Sequence, residues 1–276
     1  MGDKGAARFL LERLSRVLEH PLTRNIPLDD PRTTELRRSV IRQKPFLKRI
    51  YEDWYAWIAS RIPHGPGAVV ELGSGAGFLE EFVPGLVTSE VFISPHVRVV
   101  LDGRFLPFHD ASLRAIVMVD VFHHIPDARS FLEEAGRCLK PGGRILMVEP
   151  WITSFSKLIY SLFHHEPVDM DAQSWAFPPS GPLSGANTAL PWIVFKRDLD
   201  VFRLDFPDLS LTGLAVERPL SYILSGGVSL RALAPGFLYP AVRLLERLLD
   251  PLAGSLGMFA RISIEKTKGR GGAATR

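Results

Sequence analysis

The spacing of apolar residues along the chain changes near residue 67, and the change divides the sequence into two parts. Before it, residues 5–19 and 33–62 repeat apolar side chains every three or four positions, which predicts amphipathic helices with a break at Pro45. After it, short apolar runs alternate with amphipathic stretches. We therefore expect a helical cap over residues 1–66, a sheet-based domain over 67–266 and a flexible basic tail over 267–276.

Seven apolar runs in the second part have the length of strands. They cover residues 68–72, 86–93, 97–103, 113–122, 142–150, 209–218 and 257–266. The fourth run is apolar almost throughout, as is a strand covered on both faces. Strands that alternate with helices or crossovers predict an α/β fold with a doubly wound, mostly parallel sheet. Residues 152–208 interrupt the alternation and are expected to form an insertion after strand five.

Composition narrows the class of protein. The 276 residues are 46% hydrophobic, enough for one sizeable core, and a net charge of +3 is too small to indicate a dedicated nucleic-acid binder. The single cysteine, Cys138, excludes an internal disulfide and a cysteine metal cluster. No window has the apolar length of a membrane span, and residues 1–20 lack the apolar core of a secretion signal. We expect a cytoplasmic protein.

A glycine-rich turn after the first strand carries the first chemical signal. Glu71 is followed by Gly73, Gly75 and Gly77, so we expect something to approach the backbone there. Ligands bind at this end of the strands in open α/β sheets. No lysine follows the glycines, which excludes a phosphate-binding loop of the GxxxxGK type. Phe78 stands where a dinucleotide-binding turn requires its third glycine.

The ends of the next two strands supply polar residues that suit a nucleoside. Glu90, at the end of strand two, can accept hydrogen bonds from both hydroxyl groups of a ribose. Asp102, at the end of strand three, can accept one from the amine of an adenine, and the backbone amide of Gly103 can reach a ring nitrogen. These residues indicate an adenosine-containing ligand.

Four motifs, ELGSGAG, DGRFLPF, DVFHHIPD and LKPGGRILMVEP, occur in this order, and through them residues 69–151 resemble the class I S-adenosylmethionine-dependent methyltransferases. The branch they resemble acts on small molecules and includes ubiquinone and menaquinone methyltransferases. The resemblance implies a seven-stranded Rossmann-like sheet with an antiparallel last strand, and S-adenosyl-L-methionine as cofactor. It assigns cofactor binding to Glu71, Gly73, Ser74, Gly75, Gly77, Glu90, Asp102, Gly103, Asp120 and Val121.

Three features depart from the family pattern. The helix expected at 78–84 is short, residues 91–97 leave no room for a helix between strands two and three, and Arg114 replaces the acidic residue common before strand four. The adenine side of the site is therefore expected to be more open, or covered by aromatic residues of the cap. Core packing is the simpler expectation for these aromatic residues, which are Tyr51, Trp54, Tyr55 and Trp57.

The catalytic candidates follow strand four. His123 and His124 are expected beside the methyl group, where a neutral imidazole can take a proton from an acceptor. The alternative is that one histidine packs and caps the loop, and the sequence does not choose between the two residues. Residues 164–171 hold histidines and carboxylates, which bind metals, but we expect a loop there that binds acceptor or is structural, and no metal.

The segments after strand five are candidates for acceptor binding. Residues 177–192, rich in proline and small residues, are expected to form a lid or substrate loop. Residues 238–257 are strongly amphipathic, and we expect their apolar side to pack on the sheet. The alternative is an apolar acceptor channel or a surface that touches a membrane. The leucines on this side are Leu244, Leu245, Leu248 and Leu249.

We expect a methyltransferase that acts on oxygen or carbon of a small, apolar or lipid-like acceptor. The rivals are another reaction on the same fold, such as cyclisation or hydroxylation, and a non-enzymatic assembly factor that binds the cofactor and a protein partner. A nucleic-acid substrate is not expected, because DVFHH stands in place of the Asn/Asp-Pro-Pro-aromatic motif that holds a flipped base. The sequence leaves the acceptor, the methylated atom and the oligomeric state open.

Overall fold

The structure is a computed structural model that describes residues 18–22, 24, 26–27, 29–30, 32–163, 166–178, 181, 184–218 and 220–267. The helix expected over 5–19 falls almost wholly outside these residues, and so does the basic tail beyond Thr267. Among the helices that the structure describes, none is both long and apolar enough to cross a membrane.

From Arg32 onward, two helices precede the sheet and meet at the expected break. Helix α1 covers Arg32–Gln43 and helix α2 covers Pro45–Arg61. Proline at the first helical position has no amide hydrogen to lose, so Pro45 begins α2 while ending α1. The intervening Lys44 is buried, and its Nζ donates to the carbonyl oxygens of Gly227 (2.5 Å) and Leu230 (2.8 Å). This contact ties the helical cap to the C-terminal part of the chain.

The described residues form one seven-stranded sheet in the order β3-β2-β1-β4-β5-β7-β6. Pairing is parallel from β3 to β5, while β7 runs antiparallel to both β5 and β6. This confirms the predicted doubly wound, mostly parallel α/β sheet with an antiparallel last strand. The strands are β1 Ala68–Glu71, β2 Val87–Glu90, β3 Val99–Val100, β4 Leu113–Val119, β5 Leu139–Pro150, β6 Leu209–Glu217 and β7 Phe259–Lys266.

Two strands and one helix at the glycine-rich edge are shorter than predicted. Strand β2 has four residues and β3 has two, because the chain turns through Pro95 between them and leaves Val91 and Ile93 exposed. As expected, no helix forms over 91–98. The segment after the glycines forms only a 3₁₀ turn, Leu79–Glu81, since Pro84 and Gly85 end it. This edge therefore leaves the ends of β2 and β3 uncovered.

Helices cover both faces of the sheet and continue through the insertion. Helix α3, Ala128–Cys138, begins at Asp127, whose side chain accepts from the backbone amides of Arg129 and Ser130. The insertion contains α4 Ser154–Phe163, α5 Leu190–Trp192, a π turn Ile193–Arg197 and α6 Leu199–Asp205. After β6 come α7 Ser221–Ser225, α8 Tyr239–Leu248 and α9 Ala253–Leu256, with 3₁₀ turns at Gly236–Leu238 and Asp250–Leu252.

The expectation that the leucines of α8 pack on the sheet is wrong. Leu244, Leu245 and Leu248 are 60%, 46% and 72% exposed. The helix instead buries Tyr239 and Glu246, on its other side. A hydrophobic pattern gives the direction of the apolar face relative to the helix, but it does not say which face meets the protein.

Candidate active site

A cavity of about 310 Å³ opens at the carboxyl ends of β1, β2 and β4. Nine of the twelve predicted site residues line it, while Ser74, Gly75 and His123 do not. Its far wall comes from α4 and from residues 222–233, where Gly226 and Gly227 adopt positive φ. The predicted residues in the wall are Glu71, Gly73, Gly77, Glu90, Asp102, Gly103, Asp120, Val121 and His124.

The glycine turn is packed closely by the protein itself. Gly73 has a φ of +64°, and a Cβ on it would overlap the side chain of Val121. A Cβ on Gly77 would overlap the hydroxyl of Tyr55 on α2. The side chain that approaches these glycines is therefore one of the chain's own, whereas the sequence suggested a ligand. Gly73 and Gly77 still present backbone to the cavity.

Ser74 and Gly75 shape the turn from behind. The Ser74 amide donates to the Ser89 carbonyl (2.8 Å), and its hydroxyl accepts from the Ser89 amide (3.1 Å), which ties the turn to β2. The Gly75 amide donates to Glu90 Oε1 (3.2 Å). These two residues therefore hold Glu90 and the turn in one arrangement without lining the cavity.

Glu71 places an unsatisfied carboxylate oxygen at this wall. The side chain is buried, and its Oε2 has no hydrogen-bond partner among the residues that the structure describes. Burial, helped by the nearby carboxylates of Glu80 and Glu90, raises the pKa of Glu71 to about 8. A buried acceptor without a donor costs free energy. The site therefore fits a ligand that brings a hydrogen-bond donor, and a cationic one best.

Glu90 lies at the end of β2 and Asp102 lies just beyond β3. Both carboxylates already accept hydrogen bonds from the protein. Glu90 Oε2 accepts from the Val91 amide (3.0 Å). Arg104 forms a fork on Asp102, with Nε 3.0 Å from Oδ1 and Nη2 2.6 Å from Oδ2. These bonds lower the pKa of Asp102. A carboxylate has about four acceptor positions, so Glu90 keeps two of them for donors from the cavity. Arg104, through its backbone amide, Nε and Nη2, already uses most of the positions on Asp102.

The histidine pair follows β4 on a tight 3₁₀ turn, Phe122–His124, which one buried carboxylate organises. Glu149, on β5, accepts from the backbone amides of Val121 (2.9 Å) and Phe122 (2.8 Å). Its Oε2 lies 2.7 Å from His123 Nδ1. Asp120, with a φ of +62°, makes the turn possible at the strand end. Glu149 thus fixes the turn that carries both histidines.

The two histidines differ in environment and charge. His123 is 1% exposed, and its Nε2 lies 3.2 Å from Glu166 Oε2. Burial by itself would lower the pKa of His123, but hydrogen bonds to Glu149 and Glu166 outweigh it and hold the pKa well above its ordinary value. Burial, and then the charge on His123, lower the pKa of His124 to about 4. At neutral pH, His123 is therefore charged and His124 is neutral.

His124 has a defined tautomer. Its Nδ1 lies 2.9 Å from the carbonyl oxygen of Gly185, which can only accept, so Nδ1 carries the hydrogen. Nε2 then holds the lone pair, 3.6 Å from Glu166 Oε1. His124 and Glu166 both line the cavity, whereas His123 lies behind them. The group that can meet a bound molecule is therefore His124, supported by Glu166.

Part of the chain that forms this cavity matches a known protein family in sequence. The sequence profile of a family described as "Methyltransferase domain" matches residues 71–147. These residues are therefore similar in sequence to that domain. The match agrees with the resemblance to methyltransferases that the four motifs indicate, over the part of the chain that holds the glycine turn, Glu90, Asp102 and the histidine turn.

Individual relatives cover the chain unequally. The demethylmenaquinone methyltransferase of Tropheryma whipplei (strain Twist) is 31% identical over an alignment of 97 residues, and the match covers 29% of this chain. The chain spans about two fifths (41%) of the length of the curated relatives it matches. A geranyl diphosphate C-methyltransferase from Streptomyces coelicolor A3(2) is 15% identical, with 93% of this chain and 98% of that chain covered at a TM-score of 0.48. With a TM-score this low, the likeness adds nothing to the strand order as evidence for the fold.

Among the described residues of the insertion, one carboxylate, that of Glu166, lines the cavity. Of the residues 164–171, Glu166 reaches the histidine turn, while His164 and His165 lie outside the described residues. His123, His124 and Glu166 each place one potential ligand atom within 4.8 Å of the others, the spacing of a metal site. The charge on His123 already balances a carboxylate there, so the absence of a metal stays our prediction.

Two contributors were missed in the sequence. Glu149 stands inside the quoted LKPGGRILMVEP motif, and an acidic residue at the end of an otherwise apolar strand was the available signal. The wall over residues 222–233 was signalled only by the Gly226–Gly227 pair, which marks a turn. The cap aromatics serve two purposes, since Tyr51 and Tyr55 are buried in the core and also line the cavity.

Proposed function

We propose that this chain transfers a methyl group from S-adenosyl-L-methionine to a small acceptor with a substantial apolar part. The observation that carries the proposal is one cavity with two chemically different walls. One wall holds the glycine turn, Glu71, Glu90 and Asp102. The other holds His124 and Glu166 amid aromatic and aliphatic side chains from α4 and residues 222–233.

The first wall supports cofactor binding residue by residue. Glu71 would hold the amino group of the cofactor, because its Oε2 is buried and lacks a donor. Glu90 would accept from the ribose hydroxyls, and Asp102 with the Gly103 amide would hold the adenine. The cofactor supplies an electrophilic methyl group on a sulfonium. The chain's task is then to align an acceptor with that methyl group and to exclude water.

The second wall supports removal of a proton from the acceptor. His124 is neutral, and its Nε2, which holds the lone pair, lies 3.6 Å from Glu166 Oε1. Both residues line the cavity. As His124 takes up a proton, the Glu166 carboxylate stabilises the imidazolium that forms. His123 would act as a positioning residue, since it holds Glu166 through its Nε2 and does not reach the cavity.

The character of the acceptor follows from the lining. Ile159, Tyr160, Tyr222, Ile223 and Leu233 make this end of the cavity apolar. A quinol or phenol joins an ionisable hydroxyl to such an apolar body. The curated relatives are named as demethylmenaquinone methyltransferases, which supports quinones as the first acceptors to test.

Calorimetric titration with S-adenosylmethionine and S-adenosylhomocysteine tests the cofactor site. We expect micromolar binding to the wild type, weakened about tenfold or more by Asp102→Ala through loss of a hydrogen bond to a charged group. Asp110→Ala is the matched control. Asp110 is an exposed carboxylate in the loop that follows Asp102, it pairs with Arg137 on α3, and it lies outside the cavity. Absence of binding to the wild type would contradict the proposal, and binding without transfer to any acceptor would favour an assembly factor.

A second prediction concerns pH and Glu71. Below its pKa of about 8, Glu71 is neutral and must release a proton before it can pair with an ammonium group. The affinity for S-adenosylhomocysteine should therefore rise between pH 6 and 8, approaching about tenfold per pH unit. Glu71→Gln should bind more weakly at pH 8 and show a flat profile. A flat profile for the wild type would remove Glu71 from the amino-group site.

A further inference from the structure

Helix α8 is oriented with its polar face toward the protein and its apolar face toward solvent. Its inward side includes the polar residues Tyr239, Arg243 and Glu246, of which Tyr239 and Glu246 are buried, and Val242 is the apolar residue of the helix that packs against the core. Its outward residues include Leu244, Leu245 and Leu248. An amphipathic helix of a globular protein ordinarily has the opposite arrangement.

Hydrogen bonds fix this orientation. Glu246 accepts from the backbone amides of Leu220 (3.0 Å) and Ser221 (2.7 Å), and so satisfies the first amides of α7. The Tyr239 hydroxyl donates to Asp53 Oδ2 (2.6 Å) on α2 and accepts from Arg218 Nη1 (2.8 Å). If the helix were rotated so that its leucines faced the protein, these buried groups would lose their partners. Burial of the leucines would not compensate for that loss of free energy.

The outward leucines belong to a longer apolar surface. The chain enters α8 through exposed Phe237 and Leu238, and leaves it through exposed Leu252. We call the whole set the apolar face. Its members are Leu233, Phe237, Leu238, Leu244, Leu245, Leu248 and Leu252. Exposed apolar surface of this extent marks a place where a protein meets another protein or a membrane.

The apolar face begins at the wall of the cavity. Leu233 is 53% exposed and also lines the cavity, next to Leu230. A molecule that covers the apolar face is therefore adjacent to the acceptor end of the site. A second copy of the chain seated there would cover Leu233 and obstruct the opening, whereas a lipid bilayer would leave a path for an apolar acceptor.

The charges beside the apolar face favour one kind of membrane. Within residues 231–256, all of which the structure describes, Arg231 and Arg247 are exposed, and Asp250 is the one exposed acidic residue. Lys157 and the exposed Leu158 lie on α4, which packs against α9. Leucines flanked by basic side chains suit the boundary between anionic headgroups and acyl chains.

We propose that the apolar face docks on the surface of a bilayer that contains anionic phospholipid, with the cavity opening turned toward the lipid. The leucines enter the interface, and Arg231 and Arg247 meet the headgroups. The entry of acceptor from the lipid rests on the function proposed above. Docking itself does not depend on that function, so the two can fail separately.

Flotation with vesicles tests the docking. The full chain is mixed with vesicles of phosphatidylcholine and phosphatidylglycerol, and the bound fraction is measured against lipid concentration. Leu244→Ser/Leu248→Ser should lower the partition coefficient by about tenfold or more, because two leucines no longer enter the interface. Leu204→Ser is the matched control, since Leu204 on α6 is 79% exposed and lies outside the apolar face.

Further measurements distinguish a membrane from a second copy of the chain as the partner of the apolar face. Binding should weaken with phosphatidylcholine alone and with Arg247→Glu, while S-adenosylhomocysteine binding by each variant stays at the wild-type value. Failure of the wild type to float would overturn docking, as would equal flotation of the leucine double variant. A stable dimer in light scattering that the same double variant dissolves, without vesicle binding, would assign the apolar face to a second copy.

Discussion

Replacement of His124 by alanine should lower the rate of methyl transfer by about 10²–10⁴-fold, the range of general base catalysis, and leave cofactor affinity unchanged. His124 is the neutral imidazole at the acceptor wall, with its Nδ1 hydrogen directed to the Gly185 carbonyl. The cofactor side of the cavity, at Glu71 and Asp102, is left intact by this change. The loss should therefore fall on the transfer step and not on binding.

Single-turnover kinetics with the best acceptor from a screen of quinols, phenols and lipids measure this loss. His109→Ala is the matched control, since that histidine is exposed and lies away from the cavity. Because the pKa of His124 is about 4, protonation of His124 should slow the wild-type reaction only below about pH 5. Unchanged single-turnover rates in His124→Ala would remove this residue from the chemistry.

The cavity wall that holds Glu71, Glu90 and Asp102 could be predicted from the sequence because these residues lie at or just beyond strand ends. Short apolar runs locate β1, β2 and β4, and parallel strands bring their carboxyl ends to one edge. Glu71 and Glu90 close β1 and β2, and Asp102 follows β3, so three local observations become one wall. No long-range pairing had to be known for this inference.

The opposite wall, with His124 and Glu166, depends on contacts between distant parts of the chain. Glu166 reaches His123 across 43 positions of sequence, and no local pattern in the insertion marks it apart from its neighbours. The choice between His123 and His124 depends on Glu149, whose bond to His123 Nδ1 holds that ring away from the cavity. Sequence spacing places both histidines on one turn and cannot show this difference.

The orientation of α8 illustrates a second limit. Periodicity located the helix and its leucine side correctly. The side that faces the protein is decided by Asp53 and Arg218, which lie on other elements and bind Tyr239. Hydrogen bonds to these buried partners stabilise the observed orientation more than burial of the leucines would stabilise the opposite one. The partners lie elsewhere in the chain, so the sequence of the helix does not reveal them.

The second large effect is expected at Glu149. Its carboxylate is fully buried and bound to two backbone amides and to charged His123. Glu149→Ala should reduce the free energy of unfolding by about 3–5 kcal/mol, because it removes one of the two carboxylate partners of buried, charged His123 and leaves two backbone amides without their acceptor. The matched control is Glu265→Gln, which breaks a part-exposed ion pair with Arg144 and should cost at most about 1 kcal/mol.

Glu149→Gln separates the two tasks of this carboxylate. Its amide oxygen can still accept from the Val121 and Phe122 amides, but the charge that supports the His123 imidazolium is gone. In the wild type, the raised pKa of His123 adds stability that is complete below its unfolded pKa, near 6.5, and is lost as pH rises through the folded pKa. Urea unfolding at a series of pH values above 6.5 should therefore show this loss in the wild type and a weaker pH dependence in Glu149→Gln. If the two proteins lose stability in parallel, His123 is not held as an imidazolium by Glu149, and the histidine that is free to act as the base must be assigned again.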